Sequence, residues 1–336
     1  IGAGSAGCVL AHRLSEDPDV RVLLLEAGPR DWHPFIHMPA GLAKLVNRKG
    51  VNWDYDTAPE PHLDNRVLWW PRGKVLGGSS SINAMCYIRG VARDYDEWSA
   101  AAAGWHWDNV LPYFRRSEGN TRGADALHGG DGPLGVSDLR HHNPLSDVFI
   151  DAAKQVGMQG NDDFNGPRQA GIGLYQVTQR DGARCSSAVA YLDPAKSRPN
   201  LTVHTGALVE RVEFDGRRAS GVRYALRGKA TQATAAREVI LCGGAINSPQ
   251  TLMLSGIGPA DELRRHGIDV VHDAAGVGAN LQDHLDICTL QHSTQRITYD
   301  RINEPKMAFD YDLRGHRGAG SSNIAEAGAF VRSPLA

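Results

Sequence analysis

The sequence predicts an α/β fold that also carries an antiparallel part, and three stretches of the 336 residues support this prediction. Residues 1–25 follow the order loop, helix, turn and strand, which is the second half of a βαβ unit. Residues 201–226 are extended on both sides of an Asp-Gly pair, a strong signal for a hairpin. Residues 239–254 contain a short apolar strand, a glycine turn and a helical stretch. Strands that alternate with helices favour a parallel core with a hairpin added.

Each element follows from the pattern of its residues. Val20–Leu25 is apolar apart from Arg21, as expected of a buried parallel strand. Residues 29–70 contain scattered Pro, Trp and His and are expected to be irregular. The predicted helices are 8–14, part of 95–117, 147–156 and 248–254, and the predicted strands are 20–25, 201–208, 209–214, 219–226 and 239–242.

Composition excludes several classes of protein. Lys and Arg number 36 against 38 Asp and Glu, so no basic face for nucleic acid is indicated. No apolar run approaches the ~18 residues of a membrane span, and no signal-peptide pattern is present. We expect a cytoplasmic protein, with peripheral contact at the inner membrane left open.

Five widely spaced cysteines without a C-x-x-C indicate reduced thiols rather than disulfides or a zinc site: Cys8, Cys86, Cys185, Cys242 and Cys288.

Both ends suggest a piece of a longer chain. Ile1 comes directly before a glycine loop, where a strand normally precedes, and Gly328–Ala336 follows an apolar stretch without a terminating element. We therefore expect a polypeptide that is incomplete at both ends, that lacks the innermost strand of a sheet and that folds poorly alone.

The glycine loop predicts a dinucleotide site in a Rossmann-like domain. Gly2, Gly4 and Gly7 form G-x-G-x-x-G, which permits a tight turn, close approach of a pyrophosphate and close packing of helix on strand. The phosphates are expected at the helix N-terminus. Glu26 lies 19 residues after Gly7, at the distance where an acid binds a ribose hydroxyl pair. The alternative interpretation is that Glu26 only caps the end of the strand. A carboxylate disfavours the 2′-phosphate of NADP, but the loop does not separate FAD from NAD.

A second motif lies at Gly73–Asp96, which reads GKVLGGSSSINAMCYIRGVARDYD. Its glycines, serines and Asn83 make a surface rich in backbone and hydroxyl groups. Such a surface suits a flat, polar-edged group that lies close to the main chain. An ordinary Gly/Ser loop remains an equal alternative on the residues alone.

These motifs resemble the glucose–methanol–choline (GMC) oxidoreductase family over nearly the whole chain. Gly73–Asp96 fits the first family signature throughout. Gly244–Gly258 (GAINSPQTLMLSGIG) fits the second, except that Thr251 stands where the pattern has an aliphatic residue. Val277–His284 (VGANLQDH) is also similar. Within the family, the likeness is greatest to medium-chain alkanol dehydrogenases, with choline dehydrogenases close behind.

The resemblance implies FAD-dependent oxidation of a primary, aliphatic alcohol to the aldehyde, with electrons passed to a quinone or another carrier. Members that attach the flavin covalently have a His just before the Asn, where this chain has Ile82, so non-covalent FAD is expected. Carried over by position, the resemblance implies that the ADP half is contacted by the loop glycines, Ser5, Ala6, Glu26 and Ala27. It implies that the backbone of Val209 contacts the adenine. The residues implied to line the flavin side are Val75, Ser79, Asn83, Ala84, Met85 and Cys86.

The resemblance also implies two domains. An FAD-binding domain would take residues 1–140 and 195–290. A substrate-binding domain built on an antiparallel sheet would take residues 141–194 and 291–336 and would be truncated.

No catalytic residue is assigned. The family's base is a His near the carboxyl end, paired with a second His or an Asn, and those motifs are absent here. His284 is the best placed of the 14 histidines, but a structural contact is the favoured interpretation. His33 and His37 are spaced i, i+4 with Pro34 between them, so no metal site is expected.

Three alternatives remain open beside the alkanol dehydrogenase. Choline dehydrogenase is the first, although no committed aromatic or acidic cage for a quaternary ammonium is visible. The second is a hydroxynitrile lyase that keeps FAD without redox turnover. The third is a non-catalytic fragment that only binds FAD. The oligomeric state and the chain length of the alcohol are not indicated by the sequence.

Overall fold

In a computed structural model the described residues are 1–333, and they form two compact units, each made of three chain segments. The first unit comprises Ile1–Asp31, Val46–Ser81 and Ser187–Leu290, and the second comprises Trp32–Leu45, Ile82–Ser186 and Gln291–Ala336. Residues 82–140, predicted for the FAD-binding domain, lie in the second unit. The end of the predicted segment 291–336, residues 334–336, lies outside the described residues. Compactness does not report what a unit binds, so the domain boundaries stay a prediction.

The first unit contains the predicted loop, helix and parallel strand. The helix Ser5–Leu14 follows the glycine loop and ends before the strand Val22–Glu26. That strand pairs in parallel with Leu201–Thr205. Leu24 and Leu25 are almost fully buried, which explains the apolar side chains at these two positions of the strand.

The predicted hairpin is confirmed and is extended by a third strand. Ala207–Asp215 and Arg218–Leu226 pair antiparallel around Gly216, which has a φ of 58°. Lys229–Thr234 pairs with the second of these strands. No side chain of this third strand is buried, so it has none of the apolar alternation by which strands are recognised. The core beside the sheet consists of Leu25, Ala207, Val212, Val222 and Tyr224.

The predicted strand at residues 239–242 is wrong. No regular strand forms there, although the chain runs beside Ile1. The nitrogen of Ile1 donates to the Ile240 carbonyl, and Cys242 N donates to the Ile1 carbonyl, both at 2.7 Å. Two hydrogen bonds to one residue do not make a ladder, so the apolar pattern alone does not give a strand.

The remaining elements of the first unit are short. Its longer helices are Gly244–Leu254 and Ala260–Arg265, and short helical turns occur at Pro61–Leu63, Gly78–Ser81, Ala188–Leu192 and Asp193–Ala195. Ile257–Gly258 pairs in parallel with His272–Asp273, and Tyr55–Asp56 pairs antiparallel with Trp69–Trp70.

The second unit combines helices with three pairs of short strands. Its helices and helical turns are Pro34–His37, Pro39–Gly41, Leu42–Leu45, Ala92–Ser99, Trp107–Ser117, Pro144–Gln155, Tyr299–Arg301, Glu304–Leu313 and Ala319–Ser321. Two pairs are antiparallel and one is parallel: Gly171–Leu174 with Ala327–Phe330, Gln179–Arg180 with Ala183–Arg184, and Glu118–Asn120 with Leu134–Val136. Within residues 1–333, no helix combines the length and the apolar character needed to cross a membrane.

Candidate cofactor site

The glycine loop of the first unit has no room for side chains at its first and third glycines. Gly2 has a φ of 90°, and a Cβ there would lie 2.6 Å from the carbonyl oxygen of Cys242. A Cβ at Gly7 would overlap the carbonyl oxygen of Gly2. Gly2 N also donates to the Leu25 carbonyl at 2.8 Å, which ties the loop to the parallel strand. Glycine is therefore required by packing at both positions.

The helix that follows the loop presents free backbone amides to open space. Gly4 is the N-cap residue, no side chain caps this helix, and its first turn contains no acid. Ser5 and Ala6 are exposed, and a Cβ at Gly4 would meet only the Cys242 oxygen, at 4.0 Å. The first amides of a helix have no partner within it and lie at the positive end of its dipole. This helix N-terminus is therefore suited to bind an anion.

Glu26 turns its carboxylate toward the glycine loop. Its Oε2 accepts a hydrogen bond from Ala3 N at 2.8 Å, and its Oε1 accepts one from Gly28 N at 2.8 Å. Burial raises the pKa of Glu26, while the two amides act in the opposite direction. The bond to Gly28 is a local cap, but the bond to Ala3 spans 23 residues and fixes the acid against the loop. Each carboxylate oxygen accepts more than one hydrogen bond, so capacity for ribose hydroxyls remains.

The Gly- and Ser-rich motif packs directly on the glycine loop. Gly77 N donates to the Ala3 carbonyl at 2.7 Å. Gly78 has a φ of 55°, and a Cβ there would lie 2.7 Å from Gly4 Cα. A Cβ at Gly28 would overlap the carbonyl of Lys74. Gly77 and Gly78 thus let the backbone of the Gly- and Ser-rich motif approach the backbone of the glycine loop. The sequence pattern did not reveal this packing role.

The other predicted contacts of the first unit differ in exposure. Ser79 is exposed, and its Oγ accepts from Gly73 N at 3.1 Å. Ala27 is half-buried, whereas Val75 has no exposed surface. Val209 is half-buried beside the core and lies at the start of a β-bulge in its strand. Their contacts with a cofactor stay predictions.

The second unit contains the predicted flavin-side residues in a tight turn. Asn83 is exposed, and its Oδ1 accepts from Met85 N at 3.1 Å. Met85 is buried and has a φ of 60°, which is rare outside glycine. Arg184 Nη1 donates to both the carbonyl and the Oδ1 of Asn83 at 2.8 Å. Asn323 Nδ2 donates to the carbonyl of Ala84 at 2.8 Å.

Arg184 and Asn323 were not found by sequence reasoning. Arg184 is 2% exposed and Asn323 is fully buried. Each contacts the turn from more than 100 positions away in the chain, and one sequence holds no signal for such pairs. In a stretch that contains both polar and apolar residues, the sequence does not distinguish a buried polar residue from an exposed one.

Two histidines considered from the sequence, His284 and His33, make local contacts in the described structure. His284 is exposed, and its backbone N donates to Asp283 Oδ1. His33 Nδ1 accepts from Phe35 N and so caps a short helix. Within residues 1–333, no group of three or more His, Cys, Asp or Glu side chains is arranged to hold a metal ion.

Known proteins with the same sequence pattern are oxidoreductases. The chain is 49% identical to mitochondrial choline dehydrogenase of Mus musculus, over 99% of this chain and 58% of that protein. It is 49% identical to an alcohol dehydrogenase (acceptor) of Pseudomonas putida, over 99% and 62% respectively. A solved structure of an FAD-dependent oxidoreductase from Chaetomium thermophilum is 31% identical with a TM-score of 0.85, over 97% and 60%. The chain thus spans less than two thirds of each of these proteins.

Residues 1–286 match the family model described as GMC oxidoreductase. The match includes the glycine loop, Glu26 and both signature stretches. The predicted resemblance is confirmed, and the chain belongs to the GMC oxidoreductase family.

Proposed function

We propose that this chain is the FAD-binding part of an enzyme that oxidises a primary, aliphatic alcohol to the aldehyde and passes the electrons to a quinone or another carrier. Family membership and the FAD-dependent relative support the cofactor. The Pseudomonas putida relative, whose name includes an acceptor, supports the reaction. When bound, FAD would supply the acceptor for the hydride of the alcohol carbon.

The observation that carries the proposal is the pairing of free amides with an acid at the glycine loop. The exposed amides of Ser5 and Ala6 would donate to the pyrophosphate. Glu26 would accept from the ribose hydroxyls while Ala3 N holds its carboxylate in place. The loop glycines leave the backbone bare, which lets the phosphates approach.

The remaining contacts are proposed on the family resemblance. Ala27 and the backbone of Val209 would contact the ADP half. Val75, Ser79, Asn83, Ala84, Met85 and Cys86 would contact the flavin half. The exposed hydroxyl of Ser79 and exposed amide of Asn83 support this assignment most directly.

We propose that FAD is bound without a covalent link. Ile82, which stands where covalent members have a His, is 3% exposed and chemically inert. Burial raises the pKa of the Cys86 thiol to about 11, so it stays protonated near neutral pH and is a weak nucleophile. Acid precipitation of the holoprotein should therefore release all of the flavin into the supernatant. Flavin that stays with the pellet would contradict this proposal.

The experiment that tests the function uses the full-length protein. We expect it to be yellow after reconstitution with FAD and to lose its visible flavin absorption when 1-octanol is added without oxygen. A protein that stays colourless would overturn the proposal. A yellow protein that cleaves mandelonitrile and is not bleached by any alcohol would instead be a lyase. A yellow protein inert in both assays would be a non-catalytic binder.

Choline is the second candidate substrate, because the chain is 49% identical to a choline dehydrogenase and because the second unit contains a buried acid whose described hydrogen-bond donors are uncharged. Glu326 is 3% exposed and accepts hydrogen bonds from Asn143 N, and from the hydroxyls of Ser146, Tyr299 and Ser322. These four donors are uncharged and bring no positive charge to offset the carboxylate. A quaternary ammonium is stabilised by such an acid and by nearby aromatic rings.

The ratio of the two turnover rates separates the candidates. With a dye acceptor, an alkanol enzyme turns over 1-octanol at least about tenfold better than choline, which corresponds to about 1.4 kcal/mol. The reverse ratio would assign choline. In that case Glu326→Gln should raise the KM for choline and leave the KM for octanol unchanged.

A further inference from the structure

Among the described residues of the second unit, four non-glycine residues lie in the left-handed backbone region: Met85, Asp181, His316 and Ile324. The turns of Met85 and Ile324 are joined by hydrogen bonds. Met85 has a φ of 60° and Ile324 has a φ of 70°. A Cβ disfavours this region, and for a β-branched residue such as Ile324 it is a clear outlier. Such strained residues persist only where the surroundings enforce them, and they concentrate at functional sites.

The side chain of Asn323 links the two turns. Its Nδ2 donates to the carbonyl of Ala84 at 2.8 Å and to the carbonyl of Ala325 at 2.9 Å. Cys86 Sγ donates to the same Ala325 carbonyl at 3.4 Å. A single buried amide group therefore joins a backbone carbonyl next to Met85 with one next to Ile324, across 239 positions of the chain.

The position of the Asn323 side chain requires a hydrogen-bond donor. The Asn323 nitrogen donates to two carbonyl oxygens and, at 3.5 Å, to the sulfur of Cys86, and these three acceptors fix the orientation of the amide. An aspartate has no N–H to donate and would place oxygen against oxygen. The Oδ1 of Asn323 is buried without a hydrogen-bond partner in the described part of the chain.

The turn that Asn323 clamps has further supports. Thr178 N donates to the Met85 carbonyl at 2.8 Å. Arg184 holds Asn83, and Asn83 in turn accepts from Met85 N. These contacts act on the residues before and after Ala84, whereas Asn323 acts on Ala84 itself. Asn323 also connects this turn to the second strained turn.

We propose that Asn323 is a positioning residue that holds Met85 in its left-handed conformation and thereby sets how the Asn83–Cys86 turn presents its exposed Asn83 to the flavin. The inference rests on the proposed function only in so far as this turn contacts the flavin. The clamp itself is a property of the second unit.

A double-mutant cycle in the full-length protein tests the clamp. Asn323→Leu removes the donor, and Met85→Gly removes the cost of a positive φ. We expect N323L to lower the melting temperature, to weaken FAD binding at least about tenfold and to change the visible circular dichroism of the flavin. Combined with M85G, N323L should cost at most half as much melting temperature as it does alone. Additive effects of the two substitutions would overturn the inference.

Asn161 offers a matched control in the same unit. Its Nδ2 also donates to backbone carbonyls, those of Arg168, Gln169 and Ala170. Asn161→Leu should lower the melting temperature without coupling to M85G and without changing the flavin circular dichroism. If N323L does not fold, Asn323→Ser takes its place, because serine keeps one donor and should give a smaller effect of the same kind.

The two proposals fail in different ways. A wild-type protein that stays colourless would contradict the proposed function. The coupling between N323L and M85G in the melting temperature of the apoprotein would still test the clamp. Wild type and N323L with equal FAD affinity, equal flavin spectra and no coupling to M85G would overturn the clamp and leave the proposed function standing.

Discussion

The glycine loop and the Asn83–Cys86 turn both use the left-handed backbone region, but they reach it by different means. Gly2 has a φ of 90° and meets no penalty, because it has no Cβ. Met85 has a φ of 60° with a full side chain, and its turn is fixed by hydrogen bonds from Arg184 and Asn323.

The difference determines how each region responds to substitution. The conformation of the loop is local and is limited by the space between backbone segments. The conformation of the turn depends on side chains that come from distant parts of the chain. A substitution should therefore act in the loop by steric overlap and in the turn by loss of a partner. Four predictions follow that distinction from the largest expected effect to the smallest.

Gly7→Ala should have the largest effect, because its new Cβ would overlap the carbonyl oxygen of Gly2 and backbone has little freedom to move. We expect the free energy of unfolding in urea to fall by at least ~3 kcal/mol, with loss of FAD binding. Gly50→Ala is the control, since a Cβ there meets nothing within 4 Å. A stable Gly7→Ala protein that binds FAD normally would show that the loop is not packed as described.

Arg184→Met tests the dependence of the turn on distant partners. The substitution keeps an apolar stem of similar length but removes donors to the carbonyls of Ile36 and Asn83 and to Asn83 Oδ1. Buried hydrogen bonds from a charged group contribute about 1.5–3 kcal/mol each. Because methionine also removes the desolvation cost of the buried guanidinium, a net loss of ~2–4 kcal/mol in unfolding free energy is expected.

Arg184→Lys is the control for charge, because it keeps a cation but not the fork of donors. We expect it to recover less than half of the loss. Full recovery by lysine would mean that charge, and not the geometry of the guanidinium, supports the turn.

The same distinction explains how much the sequence predicted. The sequence identified Gly2, Gly7 and Glu26 because close backbone approach permits only glycine and because the acid lies at a fixed distance in a βαβ unit, and their contacts with a cofactor stay predictions. The hairpin was found from its turn residues. Lys229–Thr234 was missed because it has no buried face, and residues 239–242 were wrongly predicted as a strand because their apolar run was the only signal. Contacts such as that of Asn323 with Ala84 leave no trace in one sequence.

Glu26→Gln changes one side chain of the loop site without adding bulk. Its Kd for FAD should rise about tenfold, because one oxygen that accepts from an amide, and that would accept from the proposed ribose hydroxyls, is lost. The wild type should also bind FAD more weakly as pH falls through the pKa of Glu26, which burial raises. Protonation removes the charge that favours the ribose hydroxyls, so the loss should begin above the usual range of a glutamate. The affinity of the Gln variant should show no such step, and an identical step in both proteins would contradict this role.

The smallest and sharpest change is Ser5→Pro, which deletes a single amide hydrogen from the helix N-terminus. Ser5 is the first helical residue, a position that tolerates proline because its N–H has no partner within the helix. Gly4 before it has an extended backbone, φ −77° and ψ −164°, which is compatible with a following proline. The free energy of unfolding should therefore change by less than ~0.5 kcal/mol, whereas the Kd for FAD should rise about tenfold.

Ser5→Ala keeps the amide and removes the hydroxyl, so its affinity for FAD should stay within about twofold of wild type. If the alanine variant lost as much affinity as the proline variant, the hydroxyl of Ser5 would be the contact, and the backbone amides would not be what holds the pyrophosphate.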